Sequence, residues 1–267
     1  MKLLTLLLAV AVFTMPVAQA DHHALDMAIA GEHRANSSER DLFRNPKATI
    51  EFLQIKPNHS VLEISPGGNG WYTEILGPYL RDNGKLSLGH FDKNSTVGYF
   101  QRNYKKLVDK LEANPELYDK VELVTFQAPG VYDLGAKNSY DRIVTFRNVH
   151  NWMGNGEEEM ATIFQQFADH LKPGGKLGVI EHRLPEDRAK DGAGGYVKQS
   201  YVIKLAEAAG LKLEASSEIN ANPKDTADYE KGVWTLPPSL RLGEQDRAKY
   251  QAIGESDRMT LLFVKPE

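Results

Sequence analysis

The stretch VLEISPGGNGW, residues 61–71, decides the fold. A short β-branched strand ends at Glu63, and Gly67, Gly68 and Gly70 follow it directly before a helical pattern. Glycine has no Cβ, so this turn can take unusual dihedral angles and bring its backbone close to a ligand at the positive end of the helix. A dinucleotide fold favours the spacing GxGxxG with a phosphate on the helix, whereas here an acid precedes the glycines. The order predicts a cofactor with an amine and ribose hydroxyls rather than a pyrophosphate.

Strands and helices alternate outward from this stretch. Helical patterns cover residues 71–80, 157–171 and 196–210, and a polar helix runs through Tyr104 and Leu111. Seven strands are predicted between and after them, at residues 60–65, 85–92, 121–128, 141–149, 176–183, 212–219 and 259–266. Such alternation predicts an α/β fold with a doubly wound, mostly parallel seven-stranded sheet.

The first twenty residues have the pattern of a secretory signal peptide. Lys2 precedes an apolar run over residues 3–12, and the AQA that ends at Ala20 is a typical cleavage site. The alternative, a membrane anchor, is disfavoured because Thr14 and Pro16 interrupt a run already shorter than the ~20 apolar residues that a span needs. We therefore expect cleavage after Ala20, no membrane span afterwards, and a periplasmic or secreted protein.

The rest of the chain is predicted to form one domain with an arm and an insertion. Residues 21–44 are polar and weakly patterned and are expected to form an arm before a domain at residues 45–267. Residues 220–257 form a Pro-rich polar stretch too long for a simple connection, which makes them a candidate substrate-side insertion.

Composition excludes several classes of function. The formal net charge of −4 lacks the positive excess typical of nucleic-acid-binding proteins, so binding to DNA or RNA is not expected. The absence of cysteine excludes disulfides, thiolate metal sites and cysteine nucleophiles. Cleavage after Ala20 would leave Asp21, His22 and His23 as a terminus suited to Cu(II) or Ni(II), but such a terminus arises easily by chance, and no metal site is predicted.

The order of elements and motifs resembles the class I S-adenosylmethionine-dependent methyltransferases over roughly residues 45–267. Four segments carry the resemblance: VLEISPGGNGW, KLSLGHFD, YDRIVTFRNVHNW and LKPGGKLGVIEHR. PGGNGWYTEILGPYL is also similar to a bacterial group of exported methyltransferases that read PGGGWYTEIL, relative to which Asn69 is a one-residue insertion. The resemblance implies a Rossmann-like sheet and S-adenosyl-L-methionine as cofactor.

The resemblance also implies roles for the glycine turn. Glu63 would orient the amino group of the methionine moiety. Ser65 belongs to the same cofactor-binding turn, and Gly67, Gly68 and Gly70 would lie under the sugar and the carboxylate.

Three further cofactor contacts are implied by the resemblance. The acid that holds the ribose hydroxyls in this family would fall on His90, and we favour Asp92, two residues later on the same face. Gln127 stands where an acid often contacts the adenine amine, and its amide oxygen can accept from that amine. Asn148, after the fourth strand, completes the predicted cofactor set.

Methyl transfer needs alignment and, where the nucleophile must lose a proton, a base. His150 is the candidate base because the segment after the fourth strand faces the methyl group in this family; the alternative is that His150 and Trp152 only pack the strand end. His182 and Arg183 could grip an anionic substrate, but a surface ion pair with Glu181 or Glu186 is favoured.

These observations leave two functions open. The first is methyl transfer to a small-molecule acceptor, since the N/D-P-P-Y pattern of enzymes that methylate amines on bases is missing after the fourth strand. The alternative is an exported small-ligand-binding protein that kept the fold without the reaction. A nicotinamide-dependent oxidoreductase is excluded by the glycine spacing. Nothing in the sequence indicates the oligomeric state.

Overall fold

The structure, a computed structural model, describes residues 17–189 and 193–267. Within these ranges the chain forms nine strands: β1 (Ser60–Ile64), β2 (Lys85–His90), β3 (Glu122–Gln127), β4 (Val131–Asp133), β5 (Tyr140–Phe146), β6 (Leu171–Leu184), β7 (Val197–Lys198), β8 (Lys212–Ser217) and β9 (Arg258–Val264). Ten α-helices accompany them: α1 (Val17–Ile29), α2 (Asp41–Arg44), α3 (Pro46–Phe52), α4 (Thr73–Leu80), α5 (Gly98–Glu112), α6 (Pro115–Tyr118), α7 (Val149–Trp152), α8 (Glu157–His170), α9 (Gln199–Ala208) and α10 (Arg247–Ile253).

The strands form one sheet in the order β4-β3-β2-β1-β5-β6-β9-β8, with β7 paired to β6. The five strands from β3 to β6 in this order run parallel, and β9 is antiparallel to both β6 and β8. The predicted doubly wound, mostly parallel α/β sheet is confirmed. Its seven predicted strands are present, and the two that the sequence did not indicate, β4 and β7, are only 3 and 2 residues long. Strands this short show no alternation in the sequence.

Helices cover both faces of the sheet because their apolar residues recur at helical spacing. On α8, Met160, Ile163, Phe164 and Phe167 are fully buried against the sheet, and three glutamates occupy its first turn, where the helix dipole favours negative charge. On the other face, α4 buries Ile75 and Leu76 in a second core that also contains Leu25 of α1.

The segment predicted as a polar arm, residues 21–44, packs against the domain. Leu25 and Ala28 of α1 are 2% and 5% exposed, and Arg34 and Arg44 are each 1% exposed. Residues 1–16 of the predicted signal peptide lie outside the described residues, and the predicted cleavage point after Ala20 falls within α1. Asp21, His22 and His23 are also part of α1.

Residues 220–257 connect β8 to β9 through a 3₁₀ turn at Gly232–Thr235 and α10. In the described part of the chain, no helix combines the length and apolar character needed to cross a bilayer.

Candidate active site

The carboxyl ends of β1, β2, β5 and β6 meet at one edge of the sheet, because these strands are parallel. In open α/β sheets this edge carries the ligand crevice. Two cavities lie there, and the backbone of Gly67 lines both of them.

The glycine turn after β1 depends on glycine at two positions. Gly67 has φ +68°, and a Cβ added there would meet no atom within 4 Å, so its backbone faces open space. Gly70 has φ +55°, and its Cβ would lie 3.0 Å from Leu107 and Thr73, so only glycine fits between the turn and α5. Ser65 also has a positive φ, of 53°.

Helix α5 holds the turn from the other side. Asn103 accepts a hydrogen bond from the Gly68 amide at 3.3 Å, and Lys110 donates to the Asn69 carbonyl at 2.6 Å. The one-residue insertion at Asn69 is therefore fastened to α5 and lines one of the two cavities.

Glu63 lies beneath the turn and is 2% exposed. Its carboxylate accepts a hydrogen bond from Thr73 Oγ1 at 2.7 Å, at the start of α4. Burial raises the pKa of Glu63 to about 7, against the opposing effect of the Thr73 hydrogen bond. The carboxyl group is thus poised to ionise near neutral pH when a cation comes near.

Asn148 connects β5 to the turn after β1. Its side-chain amide donates to the carbonyl oxygens of Ile64 and Ser65 at 3.1 and 3.2 Å, and to Thr145 Oγ1 at 3.0 Å. Asn148, Ser65 and Gly67, all predicted cofactor contacts, line the same cavity of about 420 Å³.

We call this space the aromatic cavity because five ring side chains contribute to its wall: Phe91, Tyr99, Phe100, Phe126 and Trp152. Phe91 and Phe100 stack with centroids 4.3 Å apart. These rings were not predicted from the sequence. Their signal was a run of aromatics directly after β2 and at the start of α5, where a flat base could be sandwiched.

The predicted ribose and adenine contacts lie side by side. The amide N–H of Asp92 donates to Gln127 Oε1 at 3.3 Å, and Asp92 Oδ1 accepts from the Asn94 amide at 2.9 Å. His90, the position of the expected family acid, is 1% exposed, and burial lowers its pKa to about 4. The His90 ring is packed against Tyr104. His90 is therefore a buried neutral imidazole, and Asp92 is the acid nearest in the sequence to the expected ribose-binding position.

His150 lies on α7, directly after β5, and is held by a partner from β6. Its Nδ1 lies 3.0 Å from Glu181 Oε1, and its backbone N–H donates to Glu181 Oε2 at 3.3 Å. Glu181 is fully buried and also accepts from the His182 amide at 2.7 Å. A buried carboxylate at Nδ1 selects the imidazole tautomer that carries its proton there and leaves Nε2 free to accept one. Glu181 was not predicted from the sequence as the partner of His150.

His182 and Arg183, near the end of β6, contact different partners. Arg183 forms ion pairs with Glu218 at 2.6 Å and Asp257 at 2.8 Å, so the favoured partners Glu181 and Glu186 were wrong although the ion pair itself is present. His182 lies beside His150, with ring centroids 5.3 Å apart, and its Nδ1 is 2.5 Å from Ser256 Oγ. Burial, together with His150, lowers the pKa of His182 well below its usual value.

The ligating atoms of His150, Glu181 and His182 lie within 4.8 Å of one another, which is a spacing that could hold a metal ion. The Glu181 carboxylate, however, already accepts from two backbone N–H groups, those of His150 and His182, and lies 3.0 Å from His150 Nδ1. Arg147 and Arg258 add positive charge beside His182. This field opposes a divalent cation, and the geometry favours a carboxylate–imidazole pair that moves protons.

The second cavity, of about 290 Å³, also borders Gly67 and reaches the insertion at residues 233–239. We call it the arginine cavity after four of its lining residues: Arg40, Arg44, Arg147 and Arg258. His182 contributes to its wall, and the insertion supplies an apolar side with Val233 and Trp234. The ring of Trp234 lies 6.0 Å from that of His150. The candidate base is therefore next to the arginine cavity.

Comparisons with known proteins bear on the fold. No family model matches the chain, and no curated protein matches it. Among solved structures, it is similar to a SAM-dependent methyltransferase from Aquifex aeolicus, with 13% identity, TM-score 0.56, and coverage of 92% of this chain and 98% of that one. It is similar to the cyclase SpnF at 14% identity and TM-score 0.60, with 94% of both chains covered. It is also similar to the mitomycin 7-O-methyltransferase MmcR, at 14% identity and TM-score 0.52, over 91% of this chain and 60% of that one.

These similarities show that the chain has the fold of the class I methyltransferases, as the resemblance implied. The presence of a cyclase among the similar structures shows that the fold alone does not determine the reaction.

Proposed function

We propose that this protein, which has the class I methyltransferase fold, transfers a methyl group from S-adenosylmethionine to a small-molecule acceptor outside the cytoplasm. The observation that carries the proposal is the His150–Glu181 pair, at 3.0 Å. The rings of His182 and Trp234, which line the arginine cavity, lie against His150, and Asn151, the next residue in the chain, lines the aromatic cavity. A buried carboxylate that fixes the tautomer of an imidazole is the arrangement of a general base, which supports catalysis over binding alone.

The aromatic cavity fits the adenosine part of the cofactor. Its volume of about 420 Å³ lies in the range of small-molecule sites, and its rings offer flat apolar faces to a base. Gly67 leaves its backbone open to a ligand, and Glu63 lies behind it with a carboxyl group whose pKa, about 7, a nearby ammonium group would lower. When bound, S-adenosylmethionine supplies the activated methyl group.

The chain's own residues supply alignment and a base. The arginine cavity would hold the acceptor, next to the aromatic cavity with which it shares Gly67. Nε2 of His150 would take the proton that the acceptor's nucleophilic atom loses, and the buried Glu181 carboxylate would stabilise the imidazolium that results. Asn148 keeps the turn after β1 in place through its two carbonyl contacts.

The test has a binding part and a turnover part. The purified protein is titrated calorimetrically with S-adenosylmethionine and S-adenosylhomocysteine, alongside Glu63→Ala and the isosteric Glu63→Gln. We expect micromolar binding that weakens in both variants, because neither can place a carboxylate behind the turn. Release of S-adenosylhomocysteine is then followed over a set of small acceptors, for which His150→Gln should lower kcat by about 10²–10⁴-fold with unchanged cofactor affinity. No cofactor binding by the folded protein would refute the proposal, and binding without turnover of any acceptor would favour the non-catalytic alternative.

A further inference from the structure

The arginine cavity contains more positive charge than its own residues neutralise. Among the described residues that line it, Glu255 is the only carboxylate, and three guanidinium groups share it. Arg40 Nε lies 2.6 Å from one of its oxygens, Arg44 Nε lies 3.3 Å from the other, and Arg258 donates to it as well. Burial alone would raise the pKa of Glu255, but Arg258 and Arg44 lower it to about 2. One carboxylate, fully ionised, cannot balance these neighbours and Arg147 together.

Arg44 is the clearest sign of a missing partner. Its side chain is 1% exposed, and its two terminal nitrogens, Nη1 and Nη2, make no hydrogen bond to any described residue. Buried guanidinium nitrogens are almost always paired, since leaving them bare is costly. Arg34, equally buried, differs at its two terminal nitrogens, from which Asp41 accepts at 2.6 and 3.0 Å, although its Nε has no hydrogen bond.

The Arg44 side chain is also held in place. Its Cζ lies 4.6 Å from the ring centroid of Trp71, and Trp71 Nε1 donates to the Ser37 carbonyl at 3.0 Å. Arg147, directly after β5, makes no side-chain hydrogen bond or ion pair with a described residue. Burial, and then Arg258, lowers the pKa of Arg147 to about 10. Arg40 also has a terminal nitrogen, Nη2, without a hydrogen bond to a described residue, so three arginines with unused donors line one cavity.

The cofactor cannot neutralise the cavity as a whole. S-adenosylmethionine carries a sulfonium and an ammonium group against one carboxylate, so it adds positive charge at this edge of the sheet. A guanidinium offers paired N–H donors that match the geometry of an oxyanion. The cavity's volume of about 290 Å³ limits the ligand to a small molecule, and Val233 and Trp234 give that molecule an apolar wall.

We propose that the arginine cavity binds an oxyanion group, a carboxylate, phosphate or sulfate, of the methyl acceptor, with Arg44 and Arg147 as its main partners. That the ligand is a methyl acceptor rests on the proposed function, whereas the anion binding itself does not. The acceptor is therefore a small acid with an apolar body.

The test uses benzoate and inorganic sulfate as probes, with neutral benzamide as a shape-matched control. Each is titrated calorimetrically into the purified protein with and without S-adenosylhomocysteine. The variants are Arg44→Met and Arg147→Met, and the control is Arg183→Met, whose guanidinium is paired with Glu218 and Asp257 outside the cavity. We expect benzoate and sulfate to bind at least 10-fold more weakly to Arg44→Met and to Arg147→Met, with no change in Arg183→Met and no binding of benzamide.

Two results would overturn the proposal. The first is that wild-type protein binds neither anion, or that Arg44→Met and Arg147→Met bind both anions as tightly as wild type does. The second is a loss of S-adenosylhomocysteine affinity in Arg44→Met and Arg147→Met without a change in anion binding, which would assign these arginines to the carboxylate of the cofactor. Arginine-dependent anion binding in a protein that does not bind S-adenosylhomocysteine would support the anion site and refute the methyltransferase proposal instead.

Discussion

Glu63→Gln should remove the loss of unfolding free energy that ionisation of the buried Glu63 carboxyl group causes as pH rises. Glu63 is 2% exposed, and burial raises its pKa from 4.5 to about 7. Between these values the folded protein keeps a proton that the unfolded chain has released, so the free energy of unfolding falls as pH rises through this window. A shift of this size corresponds to about 3 kcal/mol, because one pKa unit is about 1.4 kcal/mol. Glutamine does not titrate, and its carbonyl oxygen can still accept from Thr73.

The assay is urea denaturation of wild type and Glu63→Gln at pH 4.5 and pH 8, followed by tryptophan fluorescence. The stability of the variant relative to wild type should increase by about 3 kcal/mol between the two pH values. Glu255, whose pKa is about 2, titrates below this range in the folded state and is common to both proteins, so its contribution cancels. Glu122→Gln, at a side chain 56% exposed on β3, is the control and should show no such trend. If the difference between wild type and Glu63→Gln were the same at both pH values, Glu63 would titrate normally and the burial reasoning would be refuted.

Other predictions concern the cofactor, the base and the amino terminus. S-adenosylmethionine binding at pH 6.5 should release protons from wild type but not from Glu63→Gln, seen as a dependence of the calorimetric heat on the buffer's ionisation enthalpy. Glu181→Gln should lower kcat by about 10²-fold or more while cofactor affinity stays constant, since the amide cannot stabilise the His150 imidazolium; an equal loss of affinity would contradict this role. Gly67→Val should weaken cofactor binding more than Gly67→Ala, because both strain a backbone at φ +68° but valine also fills the space at the junction of the cavities. Mass spectrometry of protein from the periplasm or medium should show a chain that begins at Asp21, and an intact first residue there would exclude cleavage.

The sheet was predictable because its strands are apolar runs of ordinary length separated by helical patterns. The turn after β1 was predictable for the same reason. Ser65 and Gly67 follow β1 directly, Asn148 follows β5, and parallel neighbours bring these positions together. Local patterning and the rules of parallel sheets were sufficient to place these residues at one edge of the sheet, whereas their roles toward the cofactor were implied by the family resemblance.

The arginine cavity was not predictable, because its residues come from segments without a pattern that relates them. Arg44 and Glu255 are 211 positions apart in the chain. Arg40 and Arg44 lie in a segment that is polar in composition, and composition gives no sign that a charged side chain will be buried. The arginines become a cluster only when residues 21–44 pack beside the insertion and the start of β9.

The candidate base was predictable only in part. His150 could be named from its place after β5, but whether it packs or reacts depends on what lies at its Nδ1. That partner, Glu181, lies within the neighbouring strand β6. From the sequence, its carboxylate could equally have formed an ion pair at the end of this strand. Only the three-dimensional register of the two segments distinguishes these cases.

In the proposed site, binding of the acceptor's charge and removal of its proton depend on different residues. In the proposed reaction, Arg44 and Arg147 would bind the acceptor's oxyanion equally before and during methyl transfer, so their loss should raise KM with little change in kcat. His150 would remove the proton, and its interaction would strengthen only as the nucleophile loses that proton, so its loss should lower kcat. A cyclisation that needs no proton transfer, such as this fold also supports, would not depend on His150 in this way. The division of effects between KM and kcat therefore distinguishes methyl transfer to an acidic acceptor from other reactions on the same fold.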